Sequence, residues 1–275
     1  MYRHVVTIAL FLGVLTLPAW SQNADEATCA GTAGPVPKEQ QSAACDRLVA
    51  DTSRRVSRQA TAHVLRARLR RLNGDGEGAL ADYDAAVTLD PDSFDAVLGR
   101  GLVKVEAHKD DEALTDLNRA LKLNPSTDLV YLLRSGAYLS LHRYSEAIAD
   151  ADHNVHSNEW VPGFLNQRCS TRAIAGIELD KARTACDLVL KMYPNNSDTL
   201  INRGLVGLKQ QLFQAAWDDY NAAVKITPRS PWAVYGRGIA ALRLGRADEG
   251  KADLATAQSI RSNIAAAFAD EGITP

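Results

Sequence analysis

Six stretches of this chain recur at intervals of 34, 34, 35, 34 and 34 residues, beginning at Ala60, Phe94, Asp128, Gly163, Ser197 and Pro231. A fixed period of that length restricts the fold more than any composition does: each unit must bury its apolar face against the next copy of itself. The eighth position is always small, as Ala67, Gly101, Ser135, Ser170, Gly204 and Gly238, and so is the twentieth, as Ala79, Ala113, Ala147, Ala182, Ala216 and Gly250. The twenty-fourth position carries Tyr83, Leu117, Ala151, Cys186, Tyr220 and Leu254, and four units end near Pro91, Pro125, Pro194 and Pro228.

A 34-residue unit of two helices, with small residues where they touch, a plug between them and a terminal Pro, resembles the tetratricopeptide repeat across residues 60–262. The resemblance implies an all-α right-handed superhelical solenoid of antiparallel helix pairs. The repeats fall at 60–93, 94–127, 128–162, 163–196, 197–230 and 231–262. Residues 22–59 form a lead-in and a degenerate first helical hairpin, with one helix expected from Gln41 to about Val56. Residues 263–275 supply a capping helix and tail, with Ile264 and Phe268 on one face. Between the third and fourth repeats the period stretches and Pro162 is displaced, with His153, His156 and Trp160 where a Leu-x-Pro ending would stand. A local irregularity is expected there. The work the resemblance implies is protein binding without catalysis.

Residues 1–21 read as a cleavable signal peptide. Arg3 and His4 precede an apolar run from Val5 to Leu17, Pro18 breaks it, and Ala19-Trp20-Ser21 supplies the cut after Ser21. The run is shorter than the ~20 residues a spanning helix needs. Cys29, preceded by Glu26-Ala27-Thr28, does not sit in a lipid-attachment context. Export to the periplasm or beyond follows as an expectation, with no stable membrane insertion after cleavage. A net charge of -2 with both signs mixed gives no basic footprint for nucleic acid.

All four cysteines follow the predicted cut, and an even number in an oxidising compartment suggests disulfides. Cys169 and Cys186 occupy positions 7 and 24 of the fourth repeat, equally far from its inter-helix turn, and should face each other. Cys29 and Cys45 have a similar spacing and would close the degenerate hairpin. Arg168-Cys169-x-x-Arg172-Ala173-x-Ala175-Gly176, with Asp180-Lys181-Ala182 and Ala185-Cys186-Asp187, is similar to secreted or periplasmic tetratricopeptide proteins of alphaproteobacteria. That resemblance implies the same Cys pairing and an Ile-Ala-x-x-Phe-like tail, here Ile264 to Phe268.

Position 7 is Arg66, Arg100, Arg134, Arg203 and Arg237, and position 23 is Asp82, Asp116, Asp150, Asp219 and Asp253. An Arg ladder alone would suggest a polyanion site, but every Arg has an Asp on the second helix of its own repeat, and the repeat lacking both carries the Cys pair. Cross-helix ion pairs that set register are the simpler reading, each adding little if exposed.

The inner face is lined by Val64, Arg68, Leu98, Leu102, Leu132 and Leu139, then by Phe164, Gln167, Ile201 and Leu205, and finally by Trp232, Tyr235 and Ile239. This mainly apolar row suits an amphipathic helix or extended apolar peptide, with Trp232, Tyr235 and Phe164 as anchors. The Lys/Asn clamp with which some relatives hold a peptide carboxylate is missing at these positions. Two other fates stand open for the row: burial against itself by tight winding, or filling by the lead-in peptide. Asp150, Asp152, His153 and His156 make too sparse a set for a metal, and Gly74-x-Gly76-x-Gly78 follows no strand and so marks a turn. Neither a catalytic constellation nor a cofactor site is expected. The reading is a non-enzymatic interaction scaffold of a bacterial cell envelope, or alternatively an accessory subunit positioning an enzyme of cell-wall or polysaccharide synthesis.

Overall fold

The computed structural model of the protein describes residues 24–53, 55–157 and 161–275. The expected signal peptide at 1–21 and Trp160 lie outside the described residues. Those described are all-α, with helix pairs and no strand among them. They divide into two compact units, residues 24–133 and 134–275.

The first unit holds α1 (Ala24–Cys29), α2 (Lys38–Ala50), α3 (Val56–Leu72), α4 (Gly76–Leu89), α5 (Phe94–Glu106), α6 (Asp110–Leu123) and the start of α7 (Asp128–Ser140). The lead-in is more ordered than its composition suggests. Its short α1 is held on α2 by the Cys29–Cys45 disulfide, whose Cα atoms are 4.9 Å apart, and Arg47 Nη2 donates to Asp25 Oδ1 at 2.6 Å. α2 begins before Gln41 and stops at Ala50, short of the expected Val56, because Asp51 Oδ1 accepts from both the amide and the hydroxyl of Ser53 and turns the chain.

The second unit holds the rest of α7, then α8 (Tyr144–Ser157), α9 (Pro162–Ala175), α10 (Leu179–Met192), α11 (Ser197–Lys209) and α12 (Phe213–Ile226), followed by α13 (Pro231–Arg243), α14 (Ala247–Ile260) and α15 (Ile264–Asp270). Pro162 and Pro231 open their helices at the first turn, where no amide hydrogen is needed. Ser93, Asn196 and Ser230 cap α5, α11 and α13 through their side chains.

The small positions act as the period implies. Ala67, Ala79, Ala113, Ala147, Ala182 and Ala216 are fully closed off, and Ser135 stays tolerable in the seam by donating its hydroxyl to Ala147 O at 2.9 Å. Tyr83 and Tyr220 plug the gap between successive helix pairs. The turn inside each repeat needs a left-handed residue, filled by Gly74 and Gly245 in the outer repeats but by His108, His142 and Gln211 in three others. In the fourth repeat the turn is recast, with Gly176 and Glu178 both left-handed.

Candidate functional site

The charged ladder joins the two helices of five repeats, pair by pair. Nε of Arg66, Arg100 and Arg203 lies 2.9 Å from Oδ2 of Asp82, Asp116 and Asp219, while Arg134 and Arg237 reach Asp150 and Asp253 at 2.7 Å. In each case the second guanidinium nitrogen completes a two-pronged contact. The condition under which such pairs would add little, exposure, is not met, because the carboxylates are closed from solvent, the Asp116 side chain being 2 % exposed. Removing an Arg would take from a buried carboxylate its two-pronged partner. Asp82 accepts from Arg66, His63 and Arg70; burial pushes its carboxyl up, yet these donors hold it below its ordinary value. Asp219 has Arg203 as its bonded partner, and there burial wins and raises it.

The period alone does not reveal that these Arg side chains also reach backwards. Arg100 Nη1 donates to Asp84 of the preceding helix pair at 3.0 Å, Arg203 to Asp187 at 2.7 Å, Arg237 to Asn221 at 3.0 Å, and Arg66 to Asp46 at 3.0 Å. The ladder is thus both an intra-repeat and an inter-repeat clamp. With every cation committed to such contacts, it offers no free row of charge to a polyanion.

In the fourth repeat the Cys169–Cys186 disulfide stands where the clamp would be, with Cα atoms 5.4 Å apart. A second substitute lies beside it. Arg172, only 1 % exposed, donates through Nε to Glu178 and through Nη2 to Asp152, at 2.9 and 2.7 Å. Sequence reading gave Arg172 no role because it falls outside the position-7 register. Asp152 serves this Arg, Asp150 serves Arg134, and His156 Nδ1 sits 2.9 Å from a backbone carbonyl, so the sparse acidic and histidine set is already engaged. Asp75 caps α4 by accepting from Gly78 N at 2.9 Å, which accounts for the glycine run.

The inner row behaves differently in the two units. In the first, Val64 is buried, but Leu98, Leu102 and Leu132 are only half-buried, beside the Arg68–Asp95 and Arg71–Glu106 pairs at 2.9 and 2.8 Å. In the second, Leu139, Phe164 and Gln167 are half-buried, whereas Ile201, Leu205, Trp232, Tyr235 and Ile239 are closed. The closing group is the C-terminal segment. Phe268 packs 5.5 Å from the Trp232 ring and 4.9 Å from Tyr235, and Ile264 and Ala267 are buried with it. Trp232 and Tyr235 therefore stand as core residues under a cap rather than as open anchors, and the cap comes from the opposite end of the chain to the lead-in peptide considered from sequence.

Beyond α15 the chain does not leave the surface. Ile273 packs against the Tyr235 cluster and against a second cluster around Ile174 and Leu205, and Arg243 Nη2 donates to Thr274 O at 3.1 Å. Between this tail and α11 and α13 lies a cavity of about 650 Å³, with Leu208, Phe213 and Ile239 on its walls. Lys209, Arg243 and Glu271 supply its ionisable groups. Burial pulls the Lys209 ammonium down to about 8 and pushes the Glu271 carboxyl up to about 8.

The tetratricopeptide repeat family model matches residues 43–94 and 98–152. No curated protein matches the chain by sequence. A tetratricopeptide repeat protein from Parabacteroides merdae is similar in structure at a TM-score of 0.69 and 15% identity, over 86% of this chain and 93% of that one. PilW, a type IV pilus biogenesis factor, is similar at 0.64 and 14%, over 78% and 98%. YrrB, a tetratricopeptide protein with an unusual peptide-binding site, is similar at 0.57 and 22%, over 71% and 98%. At these identities the likeness speaks for the fold alone. With the family's repeats matched by sequence at 43–94 and 98–152 and the same helix pairing continuing to α14, the chain is a tetratricopeptide repeat protein.

Proposed function

We propose that this protein is an exported, non-enzymatic scaffold of the cell envelope that receives a peptide or protein on the first-helix face of its repeats. Arrays of this family act generally as interaction scaffolds without catalysis of their own. The observation that carries the reading is the state of Leu98, Leu102 and Leu132, apolar side chains on successive first helices left half-buried while the seams between helices are sealed. Apolar area that folding leaves accessible in a row, bordered by charged pairs, is what a partner helix or strand can still cover. Two disulfides support an oxidising compartment, and no described helix is long and apolar enough to cross a membrane.

Photo-crosslinking side chains placed at Leu98 and Leu102, with Thr115 on the exposed second-helix face as control, test the site. Adducts with one discrete partner from the first-helix positions and not from Thr115 are expected. Equal labelling from both faces would remove the basis for the reading. Export is tested separately by the N-terminus of chain recovered from the periplasm, which should be Gln22.

A further inference from the structure

The strongest feature not absorbed by this reading is the route of the C-terminal segment. A cap needs only to cover apolar surface, and α15 does so with Ile264, Ala267 and Phe268. The tail then goes further. Residues 271–274 follow the first-helix face of the second unit, Ile273 bridges two core clusters, and Arg243 holds the Thr274 carbonyl. That is how an extended peptide ligand would lie on this face, with apolar anchors at intervals and a main-chain oxygen caught just beyond the last of them.

The fit of this segment is incomplete. It leaves a cavity of about 650 Å³, the size of an ordinary ligand pocket. It also presses Glu271, 7 % exposed, into that cavity with no ion pair to either of the two described cations that line it: Lys209 Nζ donates instead to Ile174 O at 2.7 Å, and Arg243 to the tail's own carbonyl. A buried carboxyl beside cations that are engaged elsewhere disfavours docking of the tail, while Phe268 and Ile273 favour it. A segment held by apolar anchors and opposed by one misplaced acid can be displaced by a peptide that keeps the anchors and lacks the acid.

We propose that the first-helix face of the second unit is a peptide site closed in cis by residues 264–274. The partner it admits is a short apolar peptide carrying an aromatic and an aliphatic anchor spaced as Phe268 and Ile273, with no acid at the place of Glu271. This deepens the scaffold reading by naming the partner's chemistry. It is tested on purified protein with a defined probe, so its failure is separate from failure of the crosslinking at Leu98 and Leu102.

The probe is a fluorescent synthetic peptide with the sequence of residues 263–275 carrying Glu271→Gln. The proteins are the parent from residue 22 onward and its full-length variant Phe268→Ala/Ile273→Asp, which loosens the tail without shortening the chain or touching the receiving face. A tail tethered in cis acts at an effective concentration near millimolar, so anisotropy titration should show the probe binding the variant at least about tenfold more tightly than the parent. Adding Tyr235→Ala to the variant should abolish the gain. Equal binding to both proteins, or binding to neither while circular dichroism shows the variant folded, would overturn the proposal. Loss of helix content in the variant would overturn it as well, because the segment would then be a fixed part of the core. A variant that dimerises through exchanged tails without admitting the probe would make the site a self-association surface and would also end the proposal.

Discussion

Tyr220 lies flat against Gly236, and a Cβ added to that glycine would overlap the phenol ring; Tyr83 stands in the same relation to Gly99. The two tyrosines are plugs between successive helix pairs, and the glycines are the sockets that let the backbones approach. Gly99→Ala or Gly236→Ala should therefore cost about 2 kcal/mol by overpacking, with the helix otherwise favouring Ala. Chemical denaturation reads this. Stabilisation by either substitution would show the sockets to be slack.

Arg100 pairs with Asp116 and also reaches Asp84, so its loss leaves the buried carboxylate with Lys104 Nζ, at 2.9 Å, as its cation. Arg100→Ala should destabilise by about 2 kcal/mol. Arg100→Met combined with Asp116→Leu should recover most of that, since the buried charge then goes too. A double variant as unstable as the single one would mean that packing, not charge, carries the effect.

His142 and Gln211 sit at φ 56° and 60°, in the backbone region that suits glycine. Their side chains are outside the seams, and the corresponding turns of the outer repeats already use Gly74 and Gly245. His142→Gly and Gln211→Gly should each raise the thermal midpoint, by about 0.5–1 kcal/mol of stability. Lower midpoints for both would show that unfolded-state entropy outweighs the strain.

Both cysteine pairs are closed, so denatured, unreduced protein should titrate no thiol. Cys169→Ser/Cys186→Ser should lose about 3 kcal/mol on the chain-entropy estimate while helix content is unchanged, because the surrounding repeat still packs. One or more free thiols in the parent would contradict the pairing.

Glu271 is raised from 4.5 to about 8 and Lys209 lowered from 10.5 to about 8, with Arg243 the other charge on the same cavity wall. For Glu271 the folded state binds the proton more tightly, so its stability contribution is complete below 4.5 and is lost as pH rises through about 8. For Lys209 the folded state releases its proton first, so stability recovers between about 8 and 10.5. A thermal midpoint lowest near pH 8 is expected, with Glu271→Gln flattening the acid limb and Lys209→Met the alkaline one. Limbs unchanged in both variants would place the titrating groups elsewhere.

What could be read from the sequence was whatever the period repeats. Arg66 and Asp82, Cys169 and Cys186, and the small residues from Ala67 to Gly250 recur or substitute at fixed positions, and two helices of known pairing turn position into contact. The backward reach of Arg100 to Asp84 was hidden because it joins different repeats. Arg172 was hidden because it lies off the register. Trp232 and Tyr235 were placed on the correct face, but position in a repeat does not say what covers that face, and the covering residues, Phe268 and Ile273, follow the last repeat. Asp51 ended α2 by a side-chain turn that apolar periodicity does not record.

The clamp of Arg100 on two helix pairs also gives the array a temporal order. A chain that emerges N-terminus first presents Asp84 before Arg100, and Arg100 before Asp116, each step sixteen residues long. An arriving guanidinium thus meets an acid already in place on the finished repeat and is held there until its own second helix follows. Folding in that order would add one helix pair at a time, each tacked down before the next is made.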